Sequence, residues 1–389
     1  MHEKLKTNGY TNRKLAKRFE VTHTTVNSYF HEQTKFDFMH FVDVLRLYIP
    51  EDVELRRACI KKMIPHLSHK NLKLALEVLD MFGEYELQEL VIDRIENPIL
   101  NENENGKKKG KSLTIRTNIK LAEFYKILRK RSEGIISAKD FFTEVNQIRK
   151  TQKNKEKDVM ILSDLNVIYS FFDLGNYKMV NEYIQEVTPY IDENKQNTLR
   201  KSFSLRIKEM EVFTNLHNNN RDEARRLCFE IINDPLNYYV STKAVAYCKL
   251  GESYVIEDYD KSKMYMEKSL EIIGVPVNKK LEIRRNKVLN TLLFLKILHN
   301  RDLENVHPQD PAEKAFLLTK LGRKLEAIQI LEELKQKNNG LSSFQLYYMG
   351  IAKGGIEGKK YLEESAENFS KSGDFFYISL PKKTLECYN

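Results

Sequence analysis

From about residue 52 onward, apolar residues recur at intervals of three and four along the chain. Leu72, Leu76 and Leu79, then Leu121, Phe124 and Leu128, mark stripes that fall on one face of a helix. Short turn signals interrupt these stretches at Gly83, Gly134, Gly175-Asn176, Asn218 to Arg221, Glu257-Asp258, His299 to Asp302, Gly322 and Gly354-Gly355. From Gly134 the markers fall about 40 residues apart, tightening to about 34 near the C-terminus, inside the range of helix-hairpin repeats. The pattern predicts an all-α chain in which hairpins stack into a solenoid.

Over 242–270, Ala244, Tyr247 and Gly251 precede Tyr259, and Tyr265, Ser269 and Leu270 follow. This alternation of small and aromatic positions is that of tetratricopeptide-like (TPR-like) units. One helix, over 281–298, has no second helix of normal length before the next hairpin, so the repeat count is interrupted at 299–311.

Composition agrees. Only 15 Gly and 9 Pro in 389 residues leave few breakers for the turns of a β-rich fold. With 41% apolar residues, 20 Tyr and 20 Phe, the chain can bury a core and is not disordered. Apolar runs are far shorter than a membrane span requires, and the polar start (Met1, His2, Glu3, Lys4) has no secretory apolar region, so a cytoplasmic location is expected. Cys59, Cys228, Cys248 and Cys387 lack zinc or disulfide spacing and read as reduced core thiols. His66 and His69 have no third ligand nearby, and no nucleophile motif occurs, so neither an enzyme nor a metal or cofactor is expected.

The net charge of +9 is unevenly placed. The first 35 residues hold seven cations and three anions, and four lysines lie in the polar run 101–112 (NENENGKKKGKS), which reads as a flexible basic loop. That run imitates a phosphate-binding loop but has Asn105 where the pattern requires glycine, and no buried strand precedes it.

Residues 11–30 (TNRKLAKRFEVTHTTVNSYF) have helix-turn-helix spacing. Leu15, Ala16 and Phe19 face inward from one helix, Val21 fills the turn, and Thr22 caps a second helix with Val26 and Tyr29 or Phe30 inside. Glu20 occupies the turn position usually given to glycine and must adopt positive φ. Thr22, His23, Thr24, Thr25, Asn27 and Ser28 then stand at the start of the second helix, the end that enters a major groove. Arg13, Lys14, Lys17 and Lys35 are placed for phosphates. A single such motif reads few base pairs, so a homodimer on a double-stranded DNA operator is implied.

The expected organisation is a DNA-binding domain over 1–50, connecting helices with the basic loop over 51–112, and a TPR-like domain for peptide binding and dimerisation over 113–389. In the concave groove, first helices offer Arg206, Glu209, Phe213, Lys243, Tyr247, Asn286 and Asn290.

Thus assembled, the chain resembles the arbitrium receptors (AimR), peptide-sensing transcription regulators of temperate phages. The resemblance rests on 257–263 (EDYDKSK), 346–350 (LYYMG) and above all 369–381 (FSKSGDFFYISLP). It implies a homodimer that binds an operator and favours lysis until a short secreted peptide enters the groove, ends productive DNA binding and favours lysogeny. It also implies that Asp374 and Phe376 hold the peptide, that Asn339 contacts its backbone, and that Tyr347 belongs to the site, with Glu252 at a site position where a relative has Asn. Ser241 stands where a relative has a basic residue for the peptide carboxylate, a task that Lys243 would take over. Two other readings share the sequence: another peptide-responsive regulator of the TPR group, and a helical adaptor with a purely structural N-terminal hairpin.

Overall fold

A computed structural model describes residues 2–97, 113–151, 156–235 and 238–388, so the basic loop expected at 101–112 lies outside the described residues. Those residues form helices and no strand. The head comprises α1 (His2–Thr7), α2 (Asn12–Phe19), α3 (His23–Phe30) and α4 (Phe38–Tyr48). Three helices follow: α5 (Val53–Met63), α6 (His69–Phe82) and α7 (Tyr85–Glu96). Hairpins then stack as α8 and α9 (Leu113–Ser132, Ala138–Thr151), α10 and α11 (Lys157–Asp173, Tyr177–Asp192), α12 and α13 (Asn197–His217, Arg221–Asn233), and α14 and α15 (Val240–Glu252, Tyr259–Ile273). The long α16 (Lys279–Leu298) is followed by only a short 3-10 turn, Leu303–Asn305, where the interrupted repeat was expected. Two more hairpins, α17 and α18 (Pro311–Lys320, Lys324–Asn338) and α19 and α20 (Ser343–Lys353, Gly355–Ser372), are closed by α21 (Ser379–Glu386).

Local chemistry explains the boundaries. Asp52, Ser68, Asn176, Asp258, Asn278 and Asp310 each accept a backbone N–H at a helix start, and Ser342 with Gln345 forms a capping box. The two helices of a hairpin approach closely where side chains vanish. A Cβ at Gly251 would lie 2.8 Å from the Ser262 carbonyl, and one at Gly358 would lie 2.4 Å from the Gly350 carbonyl.

Leu5, Leu15, Ala16, Phe19, Val26 and Val44 form a small core in the head. α4 serves two cores: Val44 faces the head, while Phe38, Val42 and Leu45 join the large core running from α5 to α12. A second large core continues from α12 to α21. The four cysteines are free, with Cys228 and Cys248 buried; Cys387, expected in the core, is exposed because it follows the terminal helix.

Candidate functional site

A cavity of about 440 Å³ opens between α8, α10, α12, α14 and α16. Its apolar wall includes Leu128, Phe172, Met210, Phe213, Val245 and Val288. Its charged lining is unbalanced: six cations (Arg131, Arg206, Lys249, Lys280, Arg284, Lys287) face three carboxylates (Asp173, Glu209, Glu252). α16 presents Lys280, Arg284, Lys287 and Thr291 at helical spacing, a single stripe along its cavity face.

Most of these charges are internally satisfied. Arg131 grips Asp173 through two hydrogen bonds of 2.6 and 2.7 Å, its guanidinium 4.6 Å from the Tyr169 ring centre. Arg206 is buried and donates to Glu77 at 2.8 and 3.0 Å and to Asp80 at 2.6 Å. Glu77 also accepts from Tyr125 at 2.5 Å and from Ser202. Lys280 donates to the Asp80 carbonyl at 2.7 Å; burial pushes its ammonium down to about 8, against the attraction of the Asp80 carboxylate. Arg284 pairs with Glu209 at 3.2 Å, and Lys249 pairs with Glu252.

Lys287 is different. Among the described residues it has no carboxylate partner; its side chain is exposed at the cavity, and partial desolvation, followed by repulsion from Arg284 and Arg131, pulls its ammonium down to about 8. Thr291 and Asn290 lie beside it on the same wall. The cavity therefore offers one uncompensated cation and two neutral polar side chains to an entering anion.

A second layer supports the wall. The Tyr377 hydroxyl donates to Glu252 at 2.8 Å, Asp374 accepts from the Tyr377 backbone N–H at 3.0 Å, and Asp374 lies 3.1 Å from His217 Nδ1. His217 stacks on Tyr177 with ring centres 3.8 Å apart, and its carbonyl accepts from the Phe375 N–H at 2.7 Å.

Of the groove residues expected from sequence, Arg206, Glu209, Phe213, Glu252 and Asn290 meet at this cavity. Lys243 and Tyr247 lie on other faces of α14, and Asn286 is exposed on α16 away from the lining. Asn339 is the exposed left-handed cap of α18. Phe376 and Asp374 are buried behind the wall, because the 374–378 turn must satisfy its backbone against His217, and Tyr347 is buried in the C-terminal core beside Phe316 and Tyr348. Sequence reasoning missed Arg131, Asp173, Lys249, Lys280, Arg284, Lys287 and Thr291. The spacing of 280, 284, 287 and 291 in one long helix was the available signal for four of them.

In the head, α2 and α3 are joined by a three-residue turn, with Glu20 left-handed at φ 53°. The Thr22 hydroxyl accepts the Thr25 N–H, and Asn12 donates to Asn27 at 3.3 Å. Arg13, Lys14, Lys17, Thr22, His23, Thr24, Asn27 and Lys35 are exposed; Thr25 and Ser28 are half-buried. None of the four cations among them pairs with a carboxylate among the described residues, whereas Arg18 is held by buried Asp43. Unforeseen by sequence, α1 covers this hairpin, with His2 stacked on Phe30 at 4.2 Å. Glu20 reaches the solenoid, pairing with Lys201 and accepting from Asn197 at 3.1 Å, both on α12.

Comparison with known proteins agrees with this architecture. The family model described as AimR transcriptional regulator-like matches residues 56–387. An uncharacterized protein of Bacillus anthracis is 31% identical over 257 residues, covering 66% of this chain and 94% of that protein. The AimR transcriptional regulator of Bacillus phage phi3T is 24% identical over 278 residues, 69% of each chain. Among solved structures, phAimR with a ligand superposes with a TM-score of 0.71 at 21% identity, over 90% of this chain and 96% of that one. A selenomethionine phAimR structure gives a TM-score of 0.63 at 19% identity, over 100% and 95%. The protein is a member of the AimR transcriptional regulator-like family.

Proposed function

We propose that this chain is a DNA-binding transcription regulator of a temperate phage or prophage that senses a short secreted peptide in the α8 to α16 cavity. The observation that carries the reading is Lys287, a cation without a carboxylate facing a preformed cavity. A peptide with a free C-terminus brings a carboxylate, and placing it against Lys287 with Asn290 and Thr291 gives the exposed cation a charge-assisted partner. Asp173, Glu209 and Glu252 remain on the same wall to accept a basic side chain or the peptide N–H groups.

The head supplies the output. α3 presents Thr24, Thr25, Asn27 and Ser28 for base edges, and Arg13, Lys14, Lys17 and Lys35 for phosphates. Two copies are needed for an operator with two half-sites. Leu321, Leu325 and Ile356, exposed at 46%, 84% and 83% at the turns of the last two hairpins, supply an apolar dimer surface. α12 connects input to output: Arg206 and Phe213 line the cavity, and Lys201 and Asn197 hold the Glu20 turn of the head. A peptide that repositions α12 therefore moves the reading heads and removes productive operator binding, which favours lysogeny.

The test is calorimetry with hexapeptides selected on the wild-type protein from a random library with free C-termini. Lys287→Met is expected to weaken their binding about tenfold or more, as loss of a charge-assisted hydrogen bond implies. Amidating the peptide should do the same to wild type. Equal affinity of acid and amide forms would remove the carboxylate assignment.

A further inference from the structure

A second cavity, of about 220 Å³, lies where the N-terminal helices meet the solenoid. Its lining is largely apolar: Val42 and Leu45 of α4, Ile60 of α5, Phe82 of α6, then Ile273 and Leu281. Three arginines also line it, and they differ in their partners. Arg57 holds Glu84 through two hydrogen bonds of 2.7 and 3.2 Å, and Arg56 donates to the Ile49 and Pro50 carbonyls. Arg46 lies over the Phe82 ring, 4.9 Å from its centre, and among the described residues has no carboxylate partner. Burial and then the neighbouring Arg56 charge pull its guanidinium below the ordinary arginine value.

The opening is unusual as well. Val275 is 87% exposed and Val277 is 44% exposed, and both line the cavity. The segment carrying them is fixed: Asn278 donates to the Phe82 carbonyl at 2.9 Å and Arg57 donates to the Val277 carbonyl at 2.7 Å. An open, preformed and mostly apolar recess, with one guanidinium (Arg46) that makes neither an ion pair nor a hydrogen bond among the described residues, fits a molecule having an anionic end and an apolar body. A bare anion leaves the apolar walls wet; a neutral apolar molecule leaves Arg46 uncompensated.

We propose that this cavity is a second ligand site, taking a small aliphatic carboxylate whose carboxylate pairs with Arg46 and whose chain lies against Val42, Leu45 and Leu281. One wall comes from α4 and α5 and the other from 240–281, so the occupant fastens the head-proximal helices to the solenoid. Only Met81 and Ser241 line both cavities, and the site stands independently of peptide sensing.

Calorimetry on the full chain with sodium hexanoate, hexanamide and sodium acetate tests this. Hexanoate is expected to bind at least about tenfold more tightly than either of the others, and Arg46→Gln to remove that preference. Val275→Asp, at a position 87% exposed, places a like charge at the mouth and is expected to leave the thermal midpoint unchanged and to weaken hexanoate but not hexanamide. Equal affinity for hexanoate and hexanamide, no binding of hexanoate at millimolar concentration, or unchanged hexanoate affinity in both variants would overturn the assignment. Should Arg46→Gln lower the thermal midpoint sharply, Val275→Asp decides.

Discussion

Replacing Arg206 with methionine probes the ionic cluster beneath the cavity. The arginine is buried and compensates two buried carboxylates, Glu77 and Asp80, at 2.6 to 3.0 Å. Burial alone would raise the Asp80 carboxyl, yet Lys280 and Arg206 together hold it below its ordinary value. Removing one partner of such a buried pair costs about 3–5 kcal/mol, because the remaining charges are left uncompensated. Lys280 lies 3.8 Å from the Asp80 carboxylate and relieves part of that cost, which places the expected loss at the lower end, about 3 kcal/mol. Urea unfolding followed by far-ultraviolet circular dichroism measures it as a shift of the midpoint at constant slope. The combined variant Glu77→Gln, Asp80→Asn, Arg206→Met, Lys280→Met removes all four charges and should recover most of the loss. A midpoint for Arg206→Met equal to wild type would refute the reasoning, since the cluster would then be solvated in solution.

Other outcomes follow from single features. Glu313, raised to about 7 by burial although Tyr348 donates to it at 2.7 Å, retains its proton in the fold at pH values where the unfolded chain has lost it. Its contribution is therefore full below pH 4.5 and lost as pH rises to 7, so Glu313→Gln should stabilise by about 2–3 kcal/mol at pH 8 and change little at pH 4, by thermal unfolding. Thr25→Ala with Asn27→Ala should abolish operator discrimination in gel shifts while leaving salt-dependent binding to random duplex intact; unchanged discrimination would remove α3 as the reading helix. Leu325→Glu with Ile356→Glu should convert dimer to monomer in sedimentation velocity, and a persistent dimer would place the interface elsewhere. Because Lys287 and Lys280 are both pulled down to about 8, peptide affinity should fall about fivefold between pH 8 and 9 in wild type and less steeply in Lys287→Met.

Much of the fold was legible because hairpin repeats write themselves as local periodicity: the stripe at Leu121, Phe124 and Leu128 lies in α8, and the repeat lacking a second helix after α16 is where the sequence has no second apolar stripe. The head was legible for the same reason, down to the left-handed Glu20. Its outer contacts were not, since the ties from Glu20 to Lys201 and from Arg18 to Asp43 join residues far apart in sequence. The cavity was half legible. Arg206, Glu209, Phe213, Glu252 and Asn290 sit on first helices, but periodicity does not tell which of several exposed polar residues borders a cavity, so Asn286 was included and Lys287, its neighbour, was missed. Asp374 and Phe376 stand out as a motif, yet they pack behind the wall, where Tyr377 carries their influence to Glu252.

On the proposed function, occupancy of the cavity controls DNA binding by the head. Fluorescence anisotropy of a labelled duplex taken from upstream of the chain's own gene, titrated with protein in the presence and absence of a selected free-carboxylate hexapeptide, tests it most directly. With peptide, the wild-type chain is expected to lose about tenfold or more of its DNA affinity, in the range of typical allosteric coupling, and Lys287→Met to lose none. Identical DNA binding by the peptide-saturated and peptide-free wild-type protein would contradict it.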